Sequence, residues 1–442
     1  MLPSVYNCEV CVIGLGYVGL PLAVEIAKSK LCKFTSKEIK RNVIGFDISL
    51  KRLNELKKGY DITRELSKEE IIDSQIFFTN NPEEIINTDL FIITVPTPID
   101  IAKQPDLRAI KSATRTIGEV LKKRIKKLSP LIIYESTVFP GATEEICIPI
   151  IEELSNLKIN KDFFCGFSPE RINPGDKKYK LDKIVKVTSG SDSESSEWID
   201  NFYKSIISAG TFKAKSIKVA EAAKIIENTQ RDLNIALINE LTIIFNKLNI
   251  DTLNVLEAAG TKWNFFKFKP GLVGGHCIGV DPYYLTYKSE IEGYTPEIVL
   301  AGRRINDSMS KWVVEKLIIN MVQKGMVIKN AKILVLGLSF KENCTDLRNT
   351  KVVDLIKHLE SYKTKVEVAD PNVSEDEAEL LFKLKIQNEI PKNKKYSAII
   401  IAVAHDKFKK LNNNEWEKLI ETDGIIFDLK GLLPQSMNVL RI

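Results

Sequence analysis

The sequence of 442 residues has no apolar run that approaches the roughly 20 residues of a membrane-spanning helix. Its first residues, Met1-Leu2-Pro3-Ser4, lack the basic and then apolar pattern of a signal peptide. Neither charge dominates, since 64 basic residues accompany 58 acidic residues and give a formal net charge of +6. We therefore expect a soluble protein that has no membrane partner and no nucleic-acid partner.

Cysteine and histidine are too few and too scattered for a disulfide framework or a typical metal site. Seven cysteines occur without regular spacing, which suits a reducing cytoplasm. Cys8 and Cys11 resemble half of a metal site, but residues three apart in a strand point to opposite faces. No second pair follows, and the three histidines lie far apart in sequence. We therefore expect a cytoplasmic protein without a bound metal.

Apolar runs alternate with helical segments near both ends of the chain. The alternation predicts α/β architecture with two Rossmann-like, doubly wound parallel-sheet domains. Between them, the stretch from Lys218 to about Leu248 contains no Gly or Pro and predicts one helix of roughly 30 residues. So long a helix suits a spine between domains or a subunit contact, so a homodimer is expected. The predicted domains are 1–210, a central helical domain 211–325, and 326–442.

A glycine-rich turn follows the first predicted strand and precedes a helix. Gly14 permits the tight turn, Gly16 lets a pyrophosphate approach the backbone, and Gly19 lets helix and strand pack closely. Tyr17 and Val18 lie in the same turn, and the helix N-terminus attracts phosphate. In this strand–turn–helix context the motif predicts a dinucleotide site.

Asp47 ends the second predicted strand and favours NAD over NADP, because a carboxylate accepts ribose hydroxyls and repels a 2′-phosphate. It lies farther from Gly19 than the usual ~20 residues, which a polar insertion around Lys33–Asn42 explains. The cations of that insertion leave NADP as an alternative. Arg52 is expected either beside the adenosine or as a solvated helix residue.

Two further strands are followed by turn-forming polar residues. Thr97 comes after Leu90–Val95, and Thr137 comes after Leu131–Tyr134. Ligands of open α/β sheets collect at the carboxyl ends of the strands, so both threonines are predicted on the nicotinamide side. The alternative is ordinary capping of a helix or turn.

Cys277 lies in the glycine-rich segment Gly274–Pro282, four residues before Asp281. A thiolate can capture a carbonyl as a thiohemiacetal, which becomes a thioester when a hydride leaves. Glycines let backbone amides approach an oxyanion near the sulfur. A buried, inert cysteine is the alternative. The predicted dinucleotide site supplies a hydride acceptor and favours the nucleophile.

Lys224, Asn228 and Arg231 share one face of the long predicted helix through their i, i+4, i+7 spacing. A solvated polar stripe is the usual meaning of such spacing. The neighbouring faces are rich in Ala, Ile and Leu, which indicates that the helix is largely covered. Lys224 is therefore predicted to be buried, where a lysine can accept a proton from an alcohol.

With these residues, the sequence resembles the UDP-glucose/GDP-mannose dehydrogenase family of nucleotide-sugar 6-dehydrogenases almost from end to end. Within the family, Ser168–Asp176 is most similar to bacterial UDP-N-acetylhexosamine 6-dehydrogenases that supply capsule and O-antigen synthesis. UDP-glucose enzymes usually carry a second glutamate where Asn173-Pro174 stands, which disfavours UDP-glucose. The other shared motifs are Gly14–Gly19, Val95–Pro98, Ser136–Val138, Glu221–Arg231, Gly274–Pro282 and Phe340-Lys341.

The resemblance implies a four-electron oxidation that uses two NAD molecules in turn. Lys224 would help to deprotonate the sugar 6-hydroxyl, and Cys277 would capture the aldehyde and carry the thioester. Asp281 would hold the hydrolytic water with Asn228 nearby. Thr137 and Glu170 would assist that water, and no metal is needed.

The resemblance also implies contacts with the UDP-sugar from residues spread over the chain. Arg348 is expected to reach a ligand, as a cofactor contact, across the cleft or a subunit boundary. His276 is either a substrate-side residue or a packing choice. The predicted substrate contacts are Glu170, Arg171, Ile172, Lys224, Asn228, Arg231, Gly274 and Lys341.

Several alternatives remain open from the sequence. The same chemistry could act on UDP-glucose or UDP-N-acetylmannosamine. The sequence also leaves open the choice between UDP-N-acetylglucosamine and its C4 epimer, UDP-N-acetylgalactosamine, because this choice depends on the shape of the pocket. A two-electron alcohol dehydrogenase would leave the aldehyde as product. A non-catalytic nucleotide-binding protein is the least favoured, because Cys277, Lys224 and Asp281 are all present.

Overall fold

A computed structural model describes residues 1–172, 181–275, 277–434, 437 and 439–442 of the chain. Within them the chain forms two compact units. Unit 1 comprises Met1–Glu227 and Tyr283–Glu292, and unit 2 comprises Asn228–Pro282 and Gly293–Ile442. The three predicted domain ranges stay a prediction. Residues Asn173–Asp176 of the Ser168–Asp176 motif, and His276 before Cys277, lie outside the described residues.

Unit 1 contains a sheet of eight strands in the order β3-β2-β1-β4-β5-β6-β7-β8. All neighbours pair in parallel except β6 and β7, which are antiparallel. The strands are β1 Asn7–Ile13, β2 Lys40–Phe46, β3 Phe77–Thr79, β4 Leu90–Ile93, β5 Leu131–Tyr134, β6 Phe164–Phe167, β7 Lys186–Gly190 and β8 Thr211–Lys213.

Helices connect these strands, as expected of a doubly wound fold. Every residue of β4 and β5 is buried, which explains their continuous apolar sequence. Short helical turns at Pro82–Ile85, Thr143–Cys147 and Leu181–Lys183 complete the connections. The helices are α1 Gly19–Lys28, α2 Leu50–Lys57, α3 Lys68–Asp73, α4 Arg108–Lys123, α5 Ile148–Ser155 and α6 Ser193–Lys204.

The middle of the chain is helical. Helix α7, Ile217–Lys247, has 31 residues and confirms the long helix predicted from the absence of Gly and Pro. Helices α8 Thr252–Ala259, α9 Asp281–Ile291 and α10 Glu297–Gln323 follow. Among the described residues, none of the helices combines the length and apolar composition needed to cross a membrane.

Unit 2 contains a parallel sheet of five strands in the order β10-β9-β11-β12-β13. The sheet and its helices confirm the second Rossmann-like region. The strands are β9 Lys332–Leu336, β10 Lys365–Ala369, β11 Tyr396–Ile401, β12 Ile420–Asp428 and β13 Leu440–Arg441, and the helices are α11 Val352–Ser361, α12 Glu375–Phe382, α13 Asp406–Lys409 and α14 Asn413–Leu419.

A buried ion pair joins α7 to α10 inside unit 2. Arg303 Nη1 donates to Asp232 Oδ1 at 2.6 Å, and both side chains are at most 3% exposed. Asn306 Nδ2 donates to the same oxygen at 2.7 Å. Burial raises the pKa of Asp232, although the Arg303 charge opposes the shift. Burying these two charges costs desolvation free energy. Removing only one of them therefore leaves an uncompensated buried charge.

We predict that Arg303→Met destabilises unit 2 by about 3–5 kcal/mol, because Asp232 then stays buried without its cation. Adding Asp232→Asn should recover part of this loss, since the amide removes the charge and still accepts from Asn306. Thermal unfolding of both variants and the wild type measures the difference. A double variant no more stable than Arg303→Met would contradict the charge-based explanation.

Candidate active site

The glycine turn after β1 has the geometry that a bound pyrophosphate requires. Gly14 adopts φ +94°, and its N–H donates to Phe46 O at 2.9 Å. A Cβ on Gly19 would lie 1.9 Å from Gly14 O, so no side chain fits there. By contrast, a Cβ on Gly16 would meet nothing within 4 Å, and Gly16 is exposed. The turn therefore presents open backbone at Gly16, beside the half-buried Tyr17 and Val18.

Asp47 follows β2 and contacts this turn directly. Its Oδ2 accepts the Leu15 N–H at 2.9 Å, and its Oδ1 accepts the Ser49 N–H at 2.8 Å. Asp47 remains half-buried, and the next residue, Ile48, is 86% exposed. A carboxylate beside an exposed apolar side chain fits the ribose and adenine of a dinucleotide.

Arg52 is part of the framework of the turn and not a solvated helix residue. It is 8% exposed, and its Nε donates to Leu15 O at 2.9 Å. Its Nη2 pairs with Asp61 Oδ1 at 2.8 Å. The solvated alternative is therefore wrong, because Arg52 fixes the backbone between Gly14 and Gly16. Its predicted contact with the cofactor stays a prediction.

The turns after β4 and β5 are tied together at the carboxyl edge of the sheet. Ser136 Oγ donates to Val95 O at 2.7 Å, and Tyr284 Oη donates to Thr97 O at 2.8 Å. Thr97 and Thr137 are both half-buried at this edge. The hydrogen bonds fix the two turns that carry the threonines, as a nicotinamide contact requires. Tyr284 was missed in the sequence analysis, because the helix that carries it was not predicted.

Glu170 lies beside a buried cluster of charges that the sequence did not reveal. Its Oε1 accepts the N–H of Arg171 at 2.6 Å and that of Ile172. Its Oε2 is buried, has no hydrogen-bond partner among the described residues, and lies 4.0 Å from Lys186 Nζ. Lys186 pairs with Glu135 Oε2 at 2.6 Å. A buried carboxylate oxygen that has no hydrogen-bond partner in the protein is suited to bind water or substrate.

On α7, the predicted polar face divides between covered and exposed residues. Lys224 is 8% exposed, which confirms its predicted burial, whereas Arg231 is exposed. One turn earlier, Glu221 accepts the N–H groups of Gly141 and Thr143. Burial raises the pKa of Glu221 to about 7. Glu221 thus anchors the start of the helix to the chain that follows Thr137.

Arg171 forms an ion pair within unit 1. Its Nη2 lies 2.9 Å from Glu227 Oε1, and its Nη1 donates to Val185 O at 2.7 Å. The guanidinium is therefore held in place by α7 and by the segment before β7. Ile172 packs against the apolar core of the same unit. The predicted substrate contacts of Arg171 and Ile172 stay predictions.

Cys277 leads into α9, and its carbonyl accepts the N–H of Val280 at 3.1 Å and of Asp281 at 2.8 Å. The thiol is half-exposed, whereas five of the other six cysteines are buried. Asp281 is 2% exposed, and its Oδ2 accepts a hydrogen bond from Asn228 Nδ2. Unit 2 therefore brings together Cys277, Asp281 and Asn228, three residues of the predicted set.

The glycines before Cys277 rest on the segment that carries Lys341. A Cβ on Gly274 would lie 2.9 Å from Asn349 O and 3.1 Å from Phe340 Cβ. Gly275 adopts φ +85°, and a Cβ there would lie 2.9 Å from the Phe340 ring. Glycine is thus required for this close packing. Lys341 follows Phe340 directly and is half-buried.

Arg348 is exposed and pairs with Asp346 two residues earlier. Its Nη2 lies 2.6 Å from Asp346 Oδ2. An exposed pair of this kind holds little free energy and can exchange its partner for a ligand phosphate. The predicted cofactor contact of Arg348 stays a prediction.

Asn239 holds the start of the cysteine segment and was missed from the sequence. Its Oδ1 accepts the Gly271 N–H at 2.9 Å, and its Nδ2 donates to Gly271 O at 3.0 Å. The same Nδ2 donates to Asn306 Oδ1 at 2.8 Å. An asparagine inside a long helix carries no local signal of such a role. Among the described residues, no group of three His, Cys, Asp or Glu side chains could hold a metal ion.

Substitution of two glycines in the turn should separate ligand approach from packing. Gly16→Ala should leave the melting temperature nearly unchanged but weaken NAD binding, because its methyl group would occupy the space that a pyrophosphate needs. Gly19→Ala should lower both the melting temperature and the NAD affinity, because the new Cβ would overlap Gly14 O. Calorimetric NAD titration and thermal unfolding measure the two effects. Wild-type NAD affinity in Gly16→Ala would argue against a dinucleotide at this turn.

Comparison with known proteins places this geometry in a family. Profiles of the UDP-glucose/GDP-mannose dehydrogenase family match the NAD-binding domain at residues 8–207, the central domain at 218–308 and the UDP-binding domain at 334–435. The match confirms the predicted family and the predicted cofactor NAD.

Individual relatives match over nearly the whole chain. UDP-N-acetyl-D-glucosamine 6-dehydrogenase of Pseudomonas aeruginosa is 53% identical, covering 99% of this chain and 100% of the relative. The enzyme of the same name from Salmonella typhi is 51% identical, covering 98% of each. The structure of a UDP-D-ManNAc dehydrogenase from Pyrococcus horikoshii superposes with a TM-score of 0.84 at 27% identity, covering 98% of this chain and 99% of that one. The chain therefore belongs to the UDP-glucose/GDP-mannose dehydrogenase family.

Proposed function

We propose that the protein oxidises the C6 hydroxyl of UDP-N-acetyl-D-glucosamine to the carboxylate with NAD, through a covalent intermediate on Cys277. The observation that carries this proposal is the half-exposed Cys277 four residues before Asp281, whose carboxylate is held by Asn228. A thiol one helical turn before an oriented carboxylate is suited to form and then hydrolyse a thioester. The two relatives that share about half of their residues with this chain are UDP-N-acetyl-D-glucosamine 6-dehydrogenases, which supports the choice of sugar.

The first oxidation needs a proton acceptor for the sugar hydroxyl. Lys224 is assigned this role because a buried lysine gives up its charge more readily than an exposed one. Residues Gly14, Gly16 and Asp47 would hold NAD, which when bound supplies the hydride acceptor, two molecules in turn accounting for four electrons. As the C6 hydride leaves, the O6 proton passes to the lysine, and the aldehyde remains on the sugar.

The second oxidation and the hydrolysis are assigned to the cysteine segment. The Cys277 thiol adds across the aldehyde carbonyl, its proton passing to the aldehyde oxygen. C6 then gives up the second hydride to the second NAD molecule, and release of the oxygen-bound proton to solvent leaves a thioester. Asp281 then orients a water molecule whose oxygen attacks the thioester carbon, and the sulfur leaves as the free thiol. Asn228 keeps the carboxylate of Asp281 oriented for this step. Thr137 and Glu170 are assigned to the proton pathway of the water.

Contacts with the UDP-sugar are assigned to both chemically distinct ends of the substrate. Lys341 supplies a cation for the diphosphate, and Gly274 lets the backbone approach the sugar. Arg231 is exposed on α7 and supplies a further donor. Arg171 and Ile172 would line the sugar side. A substrate with two negative phosphates suits this set of cations.

We also propose a homodimer formed through α7. Leu237 and Ile244 on α7 are 53% and 44% exposed, and Leu248, directly after the helix, is 60% exposed. The Leu248 N–H donates to Ile244 O at 3.1 Å, so the i, i+7, i+11 spacing still puts the three on one face. An exposed apolar stripe of this length on a soluble protein marks an interaction surface. A two-fold axis would pair the stripe with itself, as in most homodimers.

We assign the protein to the cytoplasm and its product to capsule or O-antigen synthesis. The seven cysteines occur without the regular spacing of a disulfide framework, which fits a reducing compartment. The family resemblance supports the polysaccharide pathway.

A panel of nucleotide sugars tests the activity. Purified protein with NAD should form NADH and uronate from UDP-N-acetyl-D-glucosamine, at two NADH for each acid. Cys277→Ser should lower acid formation by roughly 1,000-fold or more, because the thioester cannot form. Cys344→Ser, which changes the other half-exposed cysteine, should retain activity. Acid released at a normal rate by Cys277→Ser would refute the covalent mechanism, and turnover of UDP-glucose alone would refute the substrate.

Light scattering after gel filtration tests the dimer. The double change Leu237→Glu and Ile244→Glu should convert the dimer to a monomer, because charges would enter an apolar contact. Asn246→Glu changes an exposed residue of the same helix outside the stripe and should leave the dimer intact. A wild-type monomer, or a double variant that stays dimeric, would exclude this interface.

A further inference from the structure

The glycine turns that follow the first strand of each sheet are built in the same way. In unit 1, the Gly14 N–H donates to Phe46 O at 2.9 Å, and Asp47 Oδ2 accepts the next N–H at 2.9 Å. In unit 2, the Gly337 N–H donates to Ala369 O at 2.8 Å, and Asp370 Oδ2 accepts the next N–H at 2.7 Å. The turn glycines have φ +94° and +91°. A carboxylate therefore fixes the turn in both units.

The acid of unit 2 is used differently from that of unit 1. Asp370 is 0% exposed, and its Oδ2 accepts the N–H of Leu338 at 2.7 Å and of Ser339 at 3.0 Å. The same oxygen lies 3.0 Å from His405 Nε2. Burial alone would raise the pKa of Asp370, but the hydrogen bonds from His405 and the two amides lower it. The buried carboxylate therefore accepts its hydrogen bonds from protein groups and is not presented to a ribose.

The hydrogen bond from the Asn343 backbone fixes the tautomer of His405. Its Nδ1 accepts the backbone N–H of Asn343 at 3.0 Å, and this N–H can only donate. Nε2 therefore carries the proton and donates to Asp370. The Asn372 amide lies 2.8 Å from Nδ1, and His405 itself is 0% exposed. The imidazole links the end of β10 to the chain that follows β9.

The two ends of the segment Ser339–Asn343 are both held by this pair. Asp370 holds the N–H of Ser339, and His405 holds the N–H of Asn343. Between them, Ser339 Oγ donates to Lys341 O at 2.9 Å. The Phe340 ring in the same segment supports Gly275, two residues before Cys277. The segment therefore has a fixed backbone where it carries the lysine assigned to the diphosphate.

We propose that His405 and Asp370 are positioning residues for the UDP-sugar: together they lock the Ser339–Asn343 backbone so that Lys341 is preorganised for the diphosphate. This inference rests on the proposed function, because Lys341 is assigned to the substrate there. Both residues are 0% exposed, so neither is assigned a direct contact with the ligand. A lysine on a flexible stem pays less conformational entropy on binding when its backbone is already ordered. Loss of His405 releases only the Asn343 end of the segment, because Asp370 still holds the Ser339 N–H next to Phe340. The effect is therefore expected on substrate binding, with the oxidation steps nearly unaffected.

Steady-state kinetics of His405 variants test the proposal. His405→Phe should raise KM for UDP-N-acetyl-D-glucosamine by on the order of 10-fold or more, because the Asn343 end of the segment is released. Its kcat and its KM for NAD should change by less than about threefold, since NAD binds unit 1. His358→Phe makes the same change at another histidine of unit 2 and should leave all constants near wild type.

Conservative variants distinguish positioning from general stability. The Oδ1 of His405→Asn can take the place of Nδ1 and accept from Asn343, so KM should return towards wild type. His405→Gln places its amide near Nε2 instead and should not restore KM. Restoration by Gln but not by Asn, or an equal loss of kcat and NAD binding in His405→Phe, would overturn the proposal. A wild-type protein inactive on every UDP-sugar would instead refute the proposed function, and calorimetry with UDP alone would still measure the His405 effect on binding.

Discussion

A strand-end carboxylate that accepts backbone N–H groups is the constraint on which both units depend. Asp47 and Asp370 each fix a glycine turn whose amides would otherwise lack partners. In unit 1 the acid stays half-buried, so the turn remains open to a dinucleotide. In unit 2, His405 covers the acid, so the same architecture orders a segment for a different ligand. One fold thereby supports two binding tasks, and the difference lies in what covers the carboxylate.

The fold was predictable where the sequence pattern is local and regular. The long helix α7 ends within about one residue of its prediction because nothing in it breaks the helix. Helix α9 was not predicted, because the glycine-rich segment before it and Pro282 show no helical pattern. The structure instead places this proline in the first turn, where its missing N–H costs nothing. Strands β3 and β8 have only three residues each, too few to show a period.

The site was predictable only in part, for a related reason. Cys277 and the glycine turn stand out because their meaning lies in adjacent residues. The supporting contacts join residues far apart in sequence: Asn239 and Gly271 are 32 residues apart, Lys186 and Glu135 are 51 apart, and His405 and Asp370 are 35 apart. No local pattern predicts such pairs, because each depends on how strands and helices meet in the folded unit.

The environments of Cys8, Cys147 and Cys344 differ from that of Cys277, which supports the proposal of Cys277 as the nucleophile. Burial raises the pKa of Cys8 to about 11 and of Cys147 to about 12, so these thiols remain protonated and inert. Cys344 is half-exposed, but burial also raises its pKa, and its sulfur accepts the Asp346 N–H. Cys277 combines partial exposure, glycines on its N-terminal side and the carboxylate of Asp281 one helical turn away. A nucleophile must be reachable and needs a group that orients the water for its release. These two requirements are the reason that the role is proposed for Cys277.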